Sequence, residues 1–380
     1  MRPGRTADDF GLRLGIFYAC LFAILGVQLP FFPLWLEARG LDAQAIGIVL
    51  AVPIAMRIVA VPLLSRAVDR LGDLRPGLIA AGFAGVAGFA TVGFADGFVP
   101  ILLAVALASF VSSPLTSLAD AYALRGLAAR RQAYGPVRLW GSAAFIAANI
   151  GSGLLLAVVA ANELIWLIVA AFALLGLASL LLRPLAPTAG QAASRADTHH
   201  WGSPGFFRIA VAAGLIQASH ALYYGFSAVD WTGKGIATTT VGMLWGLGVA
   251  AEIVLFAVSG RLPFSPLAWL ALGAAGAAIR WTAMAFDPPA ALLPLLQGLH
   301  ALSFGATHLG SVQFVAGSAG ERRSAAAQGD FATILAVGSA VATVLAGLLY
   351  AAWGDKAYAA MAGAAALGAL CLLSARHLQK

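Results

Sequence analysis

Gly40-Leu41, followed by Ile46-Gly47-Ile48-Val49, returns 195 residues later as Gly235-Ile236 and Val241-Gly242-Met243-Leu244. The same offset sets Arg57 on Glu252 and Trp35 on Asp230. A weaker echo, at a slightly different offset, brings Arg130-Arg131 onto Arg322-Arg323. A chain that repeats itself over so long a period consists of two similar halves.

Composition says what the halves are made of. Of 380 residues, 61% are hydrophobic and only 10% charged, against roughly 25% charged in a soluble domain. Apolar runs recur along the whole chain, each near the ~20 residues a helix needs to cross the hydrocarbon core. The pattern predicts spans at 12–36, 44–65, 75–95, 98–124, 137–160, 163–183, 208–232, 238–260, 264–286, 289–316, 326–351 and 356–375. Forty-three glycines suit close helix packing in lipid, where small residues let backbones approach. The first run, Leu12 to Leu36, is too long for the core of a signal peptide and reads as a retained span.

Charge placement gives the orientation. Seventeen basic residues, from Arg2 and Arg5 through Arg66, Arg70, Arg130 and Arg131 to Arg376 and Lys380, fall on one side of the twelve spans. Arg39, Lys234 and Lys356 fall on the other, and Arg57, Arg138 and Arg280 lie within or at the edge of spans. Because positive loops stay inside, both termini are expected in the cytoplasm. The net charge of +7 follows from this topology, so no nucleic-acid partner is expected. Cys20 and Cys371 both lie in apolar runs, so neither a disulfide framework, a metal site nor a cofactor is expected.

The longest loop, 184–207, is rich in Ala, Thr, Ser and Gly and carries His199 and His200; it reads as a flexible linker. It divides a six-span half, 1–183, from a second, 208–380.

A charge near the middle of a span costs about 2.5–3.5 kcal/mol and is therefore a functional hypothesis. Arg57, Asp120, Glu252 and Arg280 stand in such positions, and Arg138 opens span 5. Glu252 and Arg280 lie on opposite sides of the midplane, on the order of 12 Å apart along the normal. A carboxyl there stays charged beside a cation and holds a proton when isolated, which makes Glu252 the candidate proton carrier. Asp120 and Arg138 form a candidate second pair. Polar stripes accompany the charges. Gln217, His220, Tyr224, Ser227 and Trp231 share a face of span 7, as do Gln297, His300, Phe304, His308 and Ser311 of span 10. Gln28, Phe32 and Trp35 do so in span 1. Rings beside fixed cations suit a small aromatic anion, and equally stack on sugars and nucleobases. Pro30, Pro33, Pro53, Pro62 and Pro114 are expected to interrupt spans.

Between spans 2 and 3 stands Ser65-Arg66-Ala67-Val68-Asp69-Arg70-Leu71-Gly72-Asp73. It resembles the major facilitator loop signature at Asp69, Arg70 and Gly72, which implies a cytoplasmic latch; Ser65 and Asp73 depart from it. At Tyr134-Gly135-Pro136-Val137-Arg138-Leu139-Trp140-Gly141-Ser142 the chain resembles one branch of that superfamily, the phenylpropionate permease family, related to lactose and nucleoside proton symporters. Gln217 to Ser227, Leu244 to Glu252, Arg280-Trp281 and Leu299-His300 extend the likeness over essentially all spans. The resemblance implies an all-α major facilitator fold of twelve transmembrane helices in two pseudo-symmetric halves. It further implies a bacterial inner-membrane, monomeric importer of a small organic substrate and a proton, such as an aromatic carboxylate like 3-phenylpropionate. Lactose permease places an acid and Arg on spans 4 and 5, and an acid, Arg and His on spans 8 to 10. Asp120, Arg138, Glu252, Arg280 and His300 match those types in order, while the further acid of span 10 is missing here.

Proton coupling is thus expected at Glu252, Arg280 and His300. Substrate binding is expected at Gln28, Trp35, Asp120, Arg138, Gln217, His220, Tyr224, Trp231 and Gln297. A sugar or nucleoside permease and an efflux antiporter remain alternatives. A membrane-embedded transferase would need catalytic residues in sizeable loops, and a channel a continuous polar pore, so no enzyme is expected.

Overall fold

The computed structural model describes residues 9–69, 73–185, 204–318 and 324–376. Arg70, Gly72 and the side chain of Asp69 from the latch motif, the linker histidines His199 and His200, and Arg322-Arg323 lie outside the described residues.

The helices are α1 (Phe10–Ala38), α2 (Ala43–Asp69), α3 (Leu74–Phe94), α4 (Phe98–Ser112), α5 (Leu115–Ala128), α6 (Tyr134–Leu156), α7 (Leu164–Leu180), α8 (Pro204–Ala218) and α9 (Ala221–Gly233). They continue with α10 (Thr238–Ser259), α11 (Pro266–Ala285), α12 (Leu293–Gly298), α13 (Thr307–Ser318), α14 (Ser324–Trp353) and α15 (Tyr358–Arg376). Helices are forced on the chain, because lipid offers backbone groups no partner outside the segment itself.

Among the described residues, eleven apolar helical stretches are long enough to cross a membrane. The last, Ala327–Ala375, runs for 49 residues. As one straight helix it would reach about 73 Å at the ~1.5 Å rise per residue, more than twice the ~30 Å hydrocarbon core. A 3-10 turn at Gly354–Ala357 folds it back, so α14 and α15 are two crossings and the total is twelve. Three crossings are each made from two helices: α4 with α5, α8 with α9, and α12 with α13. Of the five prolines expected to interrupt spans, Pro114 does so, between α4 and α5. Pro30, Pro33, Pro53 and Pro62 are carried inside unbroken α1 and α2.

The repeat is visible in backbone detail. At the end of α1, Leu41 N–H bonds to Leu36 O and Gly40 N–H to Glu37 O; at the end of α9, Ile236 N–H bonds to Trp231 O and Gly235 N–H to Thr232 O. Both are the same glycine-capped helix stop, and both glycines take left-handed φ, +79° and +84°. The residue before each glycine then clamps a loop of its own half: Arg39 reaches Asp96 at 3.1 Å and Lys234 reaches Asp287 at 2.6 Å.

The halves meet where α2 packs on α14, α6 on α10 and α1 on α9. The tight approaches sit at the end opposite the chain termini. There Gly47 faces Gly347, Gly242 faces Asn149, and Thr238 Oγ1 donates to Gly153 O at 2.7 Å. A Cβ added to Gly47 would lie 2.8 Å from Gly347 Cα and 3.0 Å from Thr343 O, both backbone atoms that cannot step aside. Overpacking of this kind costs about 1–3 kcal/mol. Gly47→Leu is therefore expected to shift the closed-to-open equilibrium at this end about 5- to 150-fold toward open. The readout is the alkylation rate of a Leu50→Cys reporter by a maleimide that cannot cross the membrane, added on the side opposite the termini. An unchanged rate would contradict the assignment of this contact as the closure.

Candidate functional site

The crossing made of α8 and α9 breaks at Ser219 and His220, and the side chains at the break bond back into their own helix. Ser219 Oγ donates to Ile216 O at 2.6 Å and accepts from Trp281 Nε1 at 2.9 Å. His220 Nδ1 lies 3.2 Å from both Ile216 O and Gln217 O. On the facing crossing, a π-helical stretch at Ala301–Ala306 joins α12 to α13. Such wide turns are frequent at functional sites, and this one sets Ser303 beside His300.

Arg280 of α11, with no exposed surface, lies between these two irregular crossings. Its guanidinium donates to His300 Nδ1 at 3.0 Å, to Ser303 Oγ at 3.4 Å and to Gln297 Oε1 at 2.8 Å. Gln297 Oε1 also accepts from Tyr223 Oη at 2.9 Å. The Tyr223 and Trp281 rings stand 4.5 and 4.6 Å from the guanidinium carbon, the stacking that delocalised Arg favours.

These donors fix the proton positions. Arg has no acceptor, so His300 Nδ1 must accept and the ring's proton sits on Nε2. That N–H points at Glu252, whose Oε2 is 3.8 Å away. His220 Nδ1, between two carbonyls, must donate, and its Nε2 lies 3.1 Å from Ser303 Oγ. An Nδ1 that accepts makes the His300 imidazole neutral in this arrangement. The positive charge is on Arg280, and among the described residues no carboxylate lies within ion-pair distance of it. An uncompensated buried charge is costly; neutral acceptors and ring faces are what stabilise it here.

Glu252 of α10 keeps 17% of its side chain exposed. Gly305 makes room for it, since a Cβ there would come 3.4 Å from Glu252 Cγ and 3.1 Å from Leu255 Cδ2. The gap that sequence spacing left between Glu252 and Arg280 is therefore filled by one imidazole.

In the other half Asp120 accepts from Tyr18 Oη at 2.6 Å and Tyr134 Oη at 2.8 Å. Asp120 and Arg138, expected as a pair, form no ion pair among the described residues, because the two phenols take the carboxylate. The Arg138 guanidinium lies 3.8 Å over the Phe22 ring and 6.0 Å from that of Tyr18. It is half-buried and within electrostatic reach of Glu252 and the exposed His308 across the interface between halves.

Tyr224 stacks on His220, with centroids 5.6 Å apart, and joins the cluster. Gln217 is half-buried beside it, with a buried side-chain oxygen, Oε1, that has no partner. Gln28 is half-buried on α1, and Arg57 is exposed on α2. Trp35 and Trp231 stand apart, toward the end opposite the termini. Trp35 is buried, stacks on Phe32 and donates to Asn162 O at 2.9 Å. Trp231 is buried against Tyr223. Spacing missed Tyr223 and Ser303 because the break at His220 and the π turn shift the faces that a straight helix would present. It also missed Tyr18 and Tyr134, for which a lone Asp120 in an apolar run was the available signal.

Twelve crossings in two packed, repeated halves, with charge buried near the middle of the helices, define a membrane transporter. The comparisons agree. The model of the MFS_1 like family matches residues 12–360. The chain is 32% identical over 362 residues to the "Probable 3-phenylpropionic acid transporter" of Escherichia coli (strain K12), covering 92% of this chain and 93% of that one. It is 28% identical over 353 residues to the "Maltose permease" of Geobacillus stearothermophilus, covering 89% and 87%. Among solved structures it resembles nucleoside transporter NupG, with a TM-score of 0.82 at 16% identity, covering 97% of this chain and 99% of that one. It also resembles a bacterial homolog of the human lysosomal transporter Spinster in an inward-facing, occupied conformation, with a TM-score of 0.75 at 12% identity and 98% of each chain covered. At those identities the structures establish the fold alone. The chain belongs to the MFS_1 like family of major facilitator superfamily transporters.

Proposed function

We propose that this chain imports a small organic anion, an aromatic carboxylate in the leading reading, together with a proton. The observation that carries the reading is the division of labour between two arginines. Arg280 is buried with both terminal nitrogens engaged, and its bond to His300 Nδ1 leaves the ring's Nε2–H on the side of Glu252. Arg138, in the other half, lies on a phenyl ring with no carboxylate in ion-pair distance among the described residues.

Glu252 takes up the proton. Neutral, it no longer competes for Arg138, which is then free to bind the carboxylate of the substrate. Phe22, Phe304 and His308 supply rings for its body. Closure at the opposite end and opening toward the termini release substrate first. Glu252 then loses its proton, drawn by Arg138 and by the N–H of His300, and the empty carrier returns. The two moving bodies are the halves 1–183 and 208–380, with both termini in the cytoplasm, in a bacterial inner membrane. One monomer completes the cycle. The relative named for 3-phenylpropionic acid supports the carboxylate, and the relative named for maltose keeps a sugar as the second reading.

A carboxylate and one proton make the cycle electroneutral, so accumulation should follow the pH gradient and ignore membrane potential. Arg138→Gln removes a charge-assisted hydrogen bond worth about 1.5–3 kcal/mol. It is expected to raise KM for 3-phenylpropionate about ten- to a hundredfold in proteoliposomes. A sugar reading predicts instead that maltose uptake is measurable and that Arg138→Gln leaves KM for 3-phenylpropionate unmoved.

A further inference from the structure

Glycines line the contact between α1 and α6. Gly26 of α1 lies against backbone, where a Cβ would come 2.6 Å from Phe145 O, and Gly15 lies against the Trp140 ring. Both let the two helices approach closely. Gly141 of α6 is buried as well, but its side-chain space holds something else. A Cβ there would stand 2.8 Å from Phe22 Cδ2, 2.9 Å from Phe22 Cγ and 3.3 Å from a terminal nitrogen of Arg138. Cβ atoms essentially never come within 3.0 Å of another heavy atom, so any side chain at 141 would drive the Phe22 ring from its place.

Phe22 is what holds Arg138. Among the described residues the Arg138 guanidinium has no hydrogen bond and no ion pair; its contacts are the Phe22 ring, 3.8 Å from its carbon, and the Tyr18 ring at 6.0 Å. Tyr18 stacks on Phe22 with ring planes 17° apart, and its hydroxyl donates to Asp120 at 2.6 Å. The ring beside the guanidinium is therefore backed by a phenol tied to a carboxylate. On α6, Arg138 and Gly141 stand about one turn apart on the same face, so the residue that makes room for the ring lies next to the cation that uses it. Arg280 spends both terminal nitrogens on the protein's own acceptors, whereas Arg138 keeps its N–H groups for a ligand.

We propose that Gly141 is a positioning residue for the substrate carboxylate, an inference that rests on the reading of Arg138 as the carboxylate's partner. By giving its side-chain space to Phe22, Gly141 lets the ring cover one side of the guanidinium and fix its direction. The carboxylate then meets the fork at its edge, where two parallel N–H···O bonds can form. Gly141 itself touches no substrate. Its effect is on affinity, because an arginine already held in its binding orientation gives up less rotamer freedom when the ligand arrives. The gain is about two- to tenfold, smaller than the loss expected when the guanidinium itself is removed. Helix packing alone, the other role of a buried glycine, would create no such link to Arg138.

A double-mutant cycle on the full-length protein in proteoliposomes tests the assignment. KM and kcat for 3-phenylpropionate are measured for wild type, Gly141→Ala, Arg138→Gln and the double variant, with melting temperatures in detergent. Gly141→Ala is expected to raise KM about two- to tenfold with little change in kcat, and to add nothing once Arg138→Gln is present. An unchanged KM, or an equal rise in both backgrounds, would reduce Gly141 to packing and overturn the proposal while leaving Arg138 in its role. A KM of Arg138→Gln equal to that of wild type would overturn both readings together. Should Gly141→Ala melt too low for the assay, Phe22→Leu removes the ring face and leaves Gly141 in place. Its rise in KM is expected to be larger in wild type than in Arg138→Gln. An equal rise would show that the ring serves the substrate alone, and would overturn the proposal.

Discussion

Glu252→Gln is expected to abolish accumulation of 3-phenylpropionate while leaving exchange of labelled for unlabelled substrate across the membrane intact. A pH difference of one unit is worth about 1.36 kcal/mol per proton, so one-to-one coupling supports about tenfold accumulation per unit. Gln keeps the shape and a polar group facing His300 but cannot gain or lose a proton. It mimics the loaded carrier, which binds substrate and alternates only when occupied. The accumulation ratio over protein-free vesicles should fall from about tenfold to unity, with exchange rates unaltered. Accumulation at the wild-type level would remove Glu252 from the coupling path.

The second large effect is expected at Arg280. Its planar fork reaches His300 Nδ1, Ser303 Oγ and Gln297 Oε1 while the Tyr223 and Trp281 rings lie 4.5 and 4.6 Å from its carbon. Lys keeps the charge but not the fork, and a compact ammonium is more strongly hydrated. Each buried acceptor left without its donor costs about 1–3 kcal/mol. Arg280→Lys is therefore expected to lower the apparent melting temperature in detergent and to cut uptake about tenfold or more. Releasing His300 Nδ1 also frees the ring to exchange tautomers, so Glu252 loses its fixed N–H. A variant with normal uptake would show that the guanidinium is only packing.

The architecture was legible in the sequence because its causes are local. Apolar length sets each crossing, and Gly40 and Gly235 stop helices by the same left-handed turn in both halves. The break between the last two crossings is marked as well, by Gly354-Asp355-Lys356 between two apolar runs, where the structure folds the chain back. The site was legible only in part. Glu252, Arg280, His300 and Gln297 stood out because charge and amide groups are expensive in lipid, and the structure brings them together with His220. Their order did not stand out: that His300 bridges Glu252 and Arg280 depends on a π turn no spacing rule contains. Tyr223 hid beside Tyr224, since the break at His220 changes which of two adjacent rings meets the guanidinium. Asp120 and Arg138 invited pairing by charge, but Tyr18 and Tyr134 come from a distant helix and a neighbouring loop end, and contacts of that kind are not encoded in periodicity. The latch motif at Asp69, Arg70 and Gly72 stays an expectation of the family resemblance.

Proton coupling is the claim on which the account rests, and one measurement addresses it. Purified protein is reconstituted with a pH dye trapped in the lumen, and 3-phenylpropionate is added outside under clamped membrane potential. The account predicts lumenal acidification in excess of protein-free vesicles, proportional to substrate taken up and indifferent to the clamped potential. Substrate entry through the protein with no excess acidification would contradict it.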